Sequence, residues 1–377
     1  MKMNTKLLHG YPVICKDTGA SSIPKFQAST FHQPDAFHHE GYNYTRFGNP
    51  TITAVEECIK ILEDTEYGLA FSSGMAAINA VLFLLSKGDH LVLAKNIYGG
   101  TFQTIQEFLV RFGIEYTMVD ESDLSAWENA IQPNTKMIYL ESPSNPLLTI
   151  TDLKAVTNMA KQRDILVACD NTFMTPLGQE TLPLGIDLVI HSGTKFINGH
   201  SDVIAGLVAT NNESLHKRLK IHQKALGAVL SVEDGWLLLR GVKTMGLRME
   251  RSIENAQKIA EFLQTKKQVK QVYYPGLSTH PGYETHQKQA KNNGAVLSFE
   301  LESQAQVESL LKNCKVPIVA VSLGGVESIL SLPWLMSHAA ISEEERLKMG
   351  VTTTLVRLSC GIEDIEDLIT DLDQAIQ

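Results

Sequence analysis

The chain has 377 residues, 44% of them hydrophobic and 20% charged, with a formal net charge of -9. That balance fits a globular protein with a substantial core, and the acidic excess excludes a sequence-independent nucleic-acid binder, which needs a basic footprint. Five scattered cysteines without a C-x-x-C pair give neither a zinc spacing nor a disulfide framework, and the longest apolar stretch, "AAINAVLFLL", is too short to span a bilayer.

A soluble, cytoplasmic protein with no membrane or nucleic-acid partner is therefore expected. Residues 1–48 are rich in Pro, Gly and Ser and lack useful periodicity; an N-terminal arm of that length tends to be functional or to wrap a neighbour. From 49 to 240 the pattern changes. Helix-like segments at 51–63, 75–87, 101–112, 152–163 and 212–222 alternate with the short runs "GLAFSS", "HLVLA", "KMIYLES", "ILVACDN", "DLVIHS" and "IAGLVAT". These runs are continuously apolar, as strands buried on both faces are, and their alternation with helices predicts an α/β fold around a mostly parallel sheet. Residues 241–377 read as a smaller α+β domain, with a long helix around 248–264, strands "VKQVYYP" and "AVLSFEL", and a terminal helix near 363–376.

In open parallel sheets, ligands sit beyond the carboxyl ends of the strands. Ser73-Gly74-Met75 follows "LAF", Glu141 and Asn145 follow "MIYL", Asp170-Asn171-Thr172 follows "LVAC", and Ser192 to Lys195 follows "LVIH". One edge thus collects acids, an amide, hydroxyls and a lysine. The acids nearest Lys195 in the chain, Asp187 and Asp202, stand some way off, and Ser192 and Thr194 beside it cannot neutralise it. A lysine so placed is set up to lose its proton and act as a nucleophile. The Ser-Gly turn opening a helix is a ready phosphate site, through free amides and the helix dipole. There is no G-x-G and no Gly-Lys pair, so neither a dinucleotide fingerprint nor a Walker A loop is present. A phosphate cup, a strand-end lysine and a strand-end aspartate before it point instead to pyridoxal 5'-phosphate (PLP). That cofactor needs an amine to hold it, an acid at its ring nitrogen and donors for its phosphate.

Seven motifs carry a resemblance: "YTRFGNPT", "FSSGMAAI", "YGGTF", "ESPSNPLL", "DNTFMTPLGQ", "SGTKFINGHSDVIAG" and "VRLSCGIE". Together they are similar to the Cys/Met-metabolism family of PLP enzymes, which holds cystathionine γ-synthase, cystathionine β- and γ-lyases and methionine γ-lyase. The resemblance runs from about His9 to the C-terminal helix. It implies the fold-type I, aspartate-aminotransferase-like architecture, a sulfur amino acid as substrate and a homotetramer of two active dimers. It also implies roles. Lys195 resembles the lysine that binds the cofactor covalently and moves protons, Asp170 the partner of the ring nitrogen, and Tyr98 the aromatic residue stacked on the ring. Gly74 and Met75 amides with Ser192 and Thr194 hydroxyls match the phosphate cup. Tyr44 and Arg46 match a pair that reaches the phosphate of the neighbouring subunit. Asn145 matches a residue near the ring hydroxyl, Arg357 the arginine that grips the substrate carboxylate, and Ser322 a serine beside the lysine.

Two further positions bear on the reaction. Members acting on cystathionine at the γ-carbon commonly carry Glu where this chain has Val321, and methionine γ-lyases typically carry Cys where it has Gly100. Both positions resemble members that cleave cystathionine by β-elimination, although some of those have an aromatic residue in place of Leu323. A carbon–sulfur lyase working by β-elimination is the expectation, with the γ-specific members as the alternative.

Overall fold

The apolar runs become strands of a seven-stranded sheet in the computed structural model, which describes residues 1–339 and 341–376. The strands are β1 (Tyr67–Phe71), β2 (His90–Ala94), β3 (Glu115–Val119), β4 (Thr135–Glu141), β5 (Leu166–Asp170), β6 (Leu188–Ser192) and β7 (Gly206–Thr210), ordered β1-β7-β6-β5-β4-β2-β3. Strands β2 to β6 pair in parallel, whereas β7 runs antiparallel to both β6 and β1. The cause is the connection. A parallel return needs a crossover of a dozen or more residues, usually through a helix, and the loop 193–205 between β6 and β7 holds none. That loop carries Lys195.

Strands β1 to β6 each lead into a helix or turn at one edge of the sheet. Phe71 of β1 is followed by Ser73, whose side chain accepts the Ala76 N–H and caps the helix Gly74–Leu82. The expected helix over 101–112 starts at Gly99 and changes pitch along its length. It is α over Gly99–Thr104, π over Ile105–Leu109 and 3-10 over Val110–Phe112, and it ends on Gly113 at φ +74.

Five further strands form a second, smaller sheet: β8 (Val269–Tyr273), β9 (Val296–Leu301), β10 (Ile318–Val319), β11 (Ile329–Ser331) and β12 (Leu355–Ser359), ordered β10-β11-β12-β9-β8. All its pairings are antiparallel except β10–β11. The helix Met245–Gln264 links the two halves of the molecule. Met245 and Met249 enter the core of the large sheet, while Ala256, Ile259, Ala260 and Leu263 enter the core of the small one.

The N-terminal segment departs from the expectation of an arm without elements. Met3–His9 is a helix that buries Leu7, because its apolar side packs against the large core. Between it and the helix Pro50–Leu62 the chain has only an isolated bridge, Thr30 to Tyr44. Among the described residues, no helix is long and apolar enough to cross a membrane.

Candidate active site

A cavity of about 510 Å³ opens at the carboxyl ends of β1, β4, β5 and β6, and the small sheet closes it from the other side. Lys195 stands in its wall, and its Nζ donates to Ser322 Oγ at 2.5 Å. Burial, helped by the positive charge of Arg357, pulls the Lys195 amine down to about 8; Asp170 acts in the opposite sense. At neutral pH a useful fraction is therefore free amine, the form that can attack a carbonyl carbon.

Asp170 ends β5 and opens onto the same cavity. Its Oδ1 accepts the Thr172 N–H at 3.0 Å and the Thr172 hydroxyl at 2.5 Å. Thr172 Oγ1 in turn accepts the N–H of Ser192 at 2.8 Å, which ties the ends of β5 and β6 together. Burial raises the Asp170 carboxyl, and the Thr172 bonds, His191 and Lys195 oppose that rise.

Arg357 lies on β12, 3% exposed, with Nη1 on Asn145 Oδ1 at 2.8 Å and Nη2 on the Ser322 carbonyl at 2.8 Å. Its Nε has no partner, and among the described residues no carboxylate lies within ion-pair distance. A buried guanidinium held only by neutral acceptors is a costly arrangement unless an anion joins it. An anion beside it would relieve that cost, and a carboxylate matches the planar guanidinium.

Tyr98 lines the cavity with 42% of its surface exposed, and its backbone N–H is held by Glu141 Oε1 at 3.0 Å. A Cβ at Gly100 would stand 2.6 Å from Tyr98 Cε1 and 2.8 Å from Met75 Sδ, so the glycine leaves the tyrosine ring its place. At Gly74 a Cβ would press on Ser192 Cβ and Oγ at 3.0 Å. The first-turn amides of the helix Gly74–Leu82 have no acceptor inside the helix, and they share the cavity with Ser192 and Thr194.

The cavity therefore brings together Gly74, Met75, Tyr98, Asn145, Asp170, Ser192, Thr194, Lys195, Ser322 and Arg357. Tyr44 and Arg46 lie outside it. Arg46 bonds the Lys224 carbonyl and sits over the rings of Tyr44 and Phe47, on the surface of this chain. Sequence reasoning assigned no role to Thr172, Glu141 or Gln103, which also line the cavity. Thr172 was within reach: a hydroxyl two residues after a strand-end aspartate regularly bonds back to it. Cys169, beside Asp170, is fully buried as expected of a small packing side chain, and Trp236 packs with its Nε1 on the Ile23 carbonyl.

These features fit PLP: an amine lowered toward neutral pH, an acid facing it, a tyrosine wall and an anion cradle that a single Cβ at Gly74 would crowd. The sequence model for Cys/Met metabolism PLP-dependent enzymes matches residues 4–377. The chain belongs to that family. Among its relatives, the cystathionine beta-lyase MetC of Bacillus subtilis is 52% identical over 375 residues, covering 100% of this chain and 96% of the relative. The cystathionine gamma-lyase of the same organism is 49% identical over 377 residues, with 100% of both chains covered. A crystal structure of cystathionine gamma-lyase from Lactobacillus plantarum, complexed with L-serine, superposes with a TM-score of 0.97 at 43% identity, covering 100% of this chain and 98% of that one. The architecture is that of these PLP enzymes, with a mostly parallel central sheet and a smaller C-terminal domain.

Proposed function

We propose that the chain is a PLP-dependent carbon–sulfur lyase that cleaves L-cystathionine by β-elimination, giving homocysteine, pyruvate and ammonia, in methionine biosynthesis. The observation that carries this reading is the outer wall of the cavity. Beyond Arg357 and Lys195 it is formed by Val321, 65% exposed, Ile204, 62% exposed, Leu323 and Met336, with no carboxylate among the described residues of that wall to hold a polar γ-substituent. The 52% identical β-lyase supports it too, and the γ-lyase at 49% keeps γ-elimination as the second reading.

PLP, when bound, supplies an electron sink conjugated to the substrate Cα. Lys195, Asp170, Tyr98 and the Gly74–Met75 turn with Ser192 and Thr194 would hold it. The chain's own groups do the rest. Arg357 binds the substrate carboxylate, and Asn145 and the Ser322 carbonyl fix the guanidinium that does so. Lys195 Nζ, oriented by Ser322 Oγ, takes the proton from Cα. The Cβ–S bond then breaks, the sulfur leaves as homocysteine thiolate and takes up a proton, and water converts the three-carbon enamine to pyruvate and ammonia. Asp170, when ionised, would favour a positive charge on the ring nitrogen of the bound cofactor.

The arm completes the assembly in this reading. Tyr44 and Arg46 reach the cofactor phosphate of a neighbouring subunit, and the enzyme works as a homotetramer of two such dimers. All five cysteines are free, which suits the reducing cytoplasm. Purified enzyme given L-cystathionine should release pyruvate. Release of 2-oxobutyrate instead would favour γ-elimination, and release of neither keto acid would sink the lyase reading. Lys195→Ala should abolish turnover.

A further inference from the structure

Strands β4 and β5 are parallel neighbours, and their register sets Glu141 directly against Asp170 at the strand ends. Both residues line the cavity, and Glu141 is 6% exposed. Two carboxylates side by side in a water-poor site do not both ionise; one keeps a proton and the pair titrates as a unit. The surroundings decide which. Asp170 receives two hydrogen bonds from Thr172 and faces the positive charge of Lys195. Glu141 receives one, from the Tyr98 N–H, and no cation among the described residues pairs with it.

The groups facing Glu141 come from three sides. Asp170 lies across the sheet, the start of the Tyr98 helix lies above, and Glu121, just beyond β3, lies beyond it. Tyr139 shares its strand. Glu121 is itself buried, bonded to Asn96 and Ser144, and offers no positive charge. Burial first, then Asp170, then to a lesser extent Glu121 push the Glu141 carboxyl well above the carboxylate range, and the Tyr98 amide only partly opposes them.

We propose that Glu141 is a positioning residue that works as an uncharged carboxylic acid: it keeps the proton of the Glu141–Asp170 pair, leaves the negative charge on Asp170, and fixes Tyr98 through the Tyr98 amide. The inference rests on the PLP reading of this cavity and adds a residue to it. A neutral Glu141 lets the acid at the ring nitrogen stay ionised beside a second acid, and it anchors the aromatic wall without adding charge next to Lys195. The geometry separates the two duties. Glutamine reproduces the Tyr98 contact and the neutral state; alanine removes the contact; aspartate is too short to keep it.

The test uses the holoenzyme of the parent, Glu141→Gln, Glu141→Ala and Glu141→Asp, each checked for folding by circular dichroism. PLP affinity and the pH midpoint of the bound cofactor's visible absorbance are read for each. Glu141→Gln should keep affinity within about threefold and leave the midpoint unmoved, while Glu141→Ala and Glu141→Asp should lose about tenfold or more in affinity. Infrared difference spectra of parent minus Glu141→Gln should contain the carbonyl band of a protonated carboxylic acid. A midpoint shifted by about one pH unit in Glu141→Gln, or no acid band in the difference spectrum, would show that Glu141 is ionised and overturn the proposal. Affinity unchanged in Glu141→Ala would overturn the anchoring of Tyr98. None of these readings depends on which amino acid is cleaved, so an enzyme that binds PLP and forms no pyruvate fails the lyase reading while leaving this inference standing.

Discussion

Lys195 and Arg357 are positive side chains within one cavity that have no carboxylate bonded to them, and each consequence can be measured separately. In cofactor-stripped protein, Lys195 is an ammonium below about 8 and a free amine above it. Labelling by an amine-reactive reagent, followed by peptide mass mapping, should show Lys195 reaching half its maximal rate near that pH. Exposed lysines should still be rising there, since their ordinary value is about 10.4. A Lys195 that tracks the surface lysines would contradict the burial argument. At Arg357, replacement by Lys keeps the charge and loses the fork that spans Asn145 and the Ser322 carbonyl. Arg357→Lys should raise KM by about tenfold or more, in steady-state kinetics, with kcat changing less. The lysine was legible in the sequence because it ended an apolar strand with no acid beside it. Glu141 is visible as a strand-end polar residue, yet its partner is set by cross-strand register, which spacing along one strand does not reveal.

The strand ends, more than the strands, place the site. Buried parallel strands were readable because their apolar runs are unbroken, as in "HLVLA" of β2, which is buried along its whole length. Strand β3, "EYTMV", carries no clear strand signal because it is an edge strand with only its last residue buried, so its pattern is mixed. Strand β12 shows in the sequence as a motif around Arg357 but not as a strand, since its fully buried run is short and its partner β9 lies far back in the chain. Glycines at the junctions make the tightest predictions. Gly324 has φ +80, and a Cβ there would stand 2.6 Å from the Phe196 N and 2.9 Å from the Lys195 carbonyl carbon. Gly324→Ala should destabilise the fold by about 1–3 kcal/mol in denaturant unfolding and lower activity by displacing Lys195. Gly74→Ala meets Ser192 Cβ and Oγ at 3.0 Å and its backbone Cα at 3.3 Å, a milder crowding, and should weaken PLP binding with a smaller loss of thermal stability than Gly324→Ala.

At the scale of the whole molecule, the proposed crossing of the arm has its own test. A subunit lacking Arg46 would keep its own lysine, and one lacking Lys195 would keep a working arm. If the arm serves the neighbour, reassembling Arg46→Ala with Lys195→Ala chains in equal amounts should restore roughly a quarter of parental activity per chain, since half the dimers then hold one intact site. No recovery after verified subunit exchange would place Arg46 outside the neighbour's site. Within one chain, the cavity is shared between the two sheets: Lys195 and Asp170 come from the large one, Arg357 from the small one. They meet at Ser322, whose hydroxyl accepts from the lysine and whose carbonyl accepts from the arginine, on a backbone at φ +89. If Arg357 grips the substrate and Lys195 is the base, as proposed, selection cannot loosen one at this serine without also disturbing the other. Variants with new substrates should therefore accumulate changes along the uncharged rim at Val321 and Ile204, and leave that shared hinge of chemistry and recognition alone.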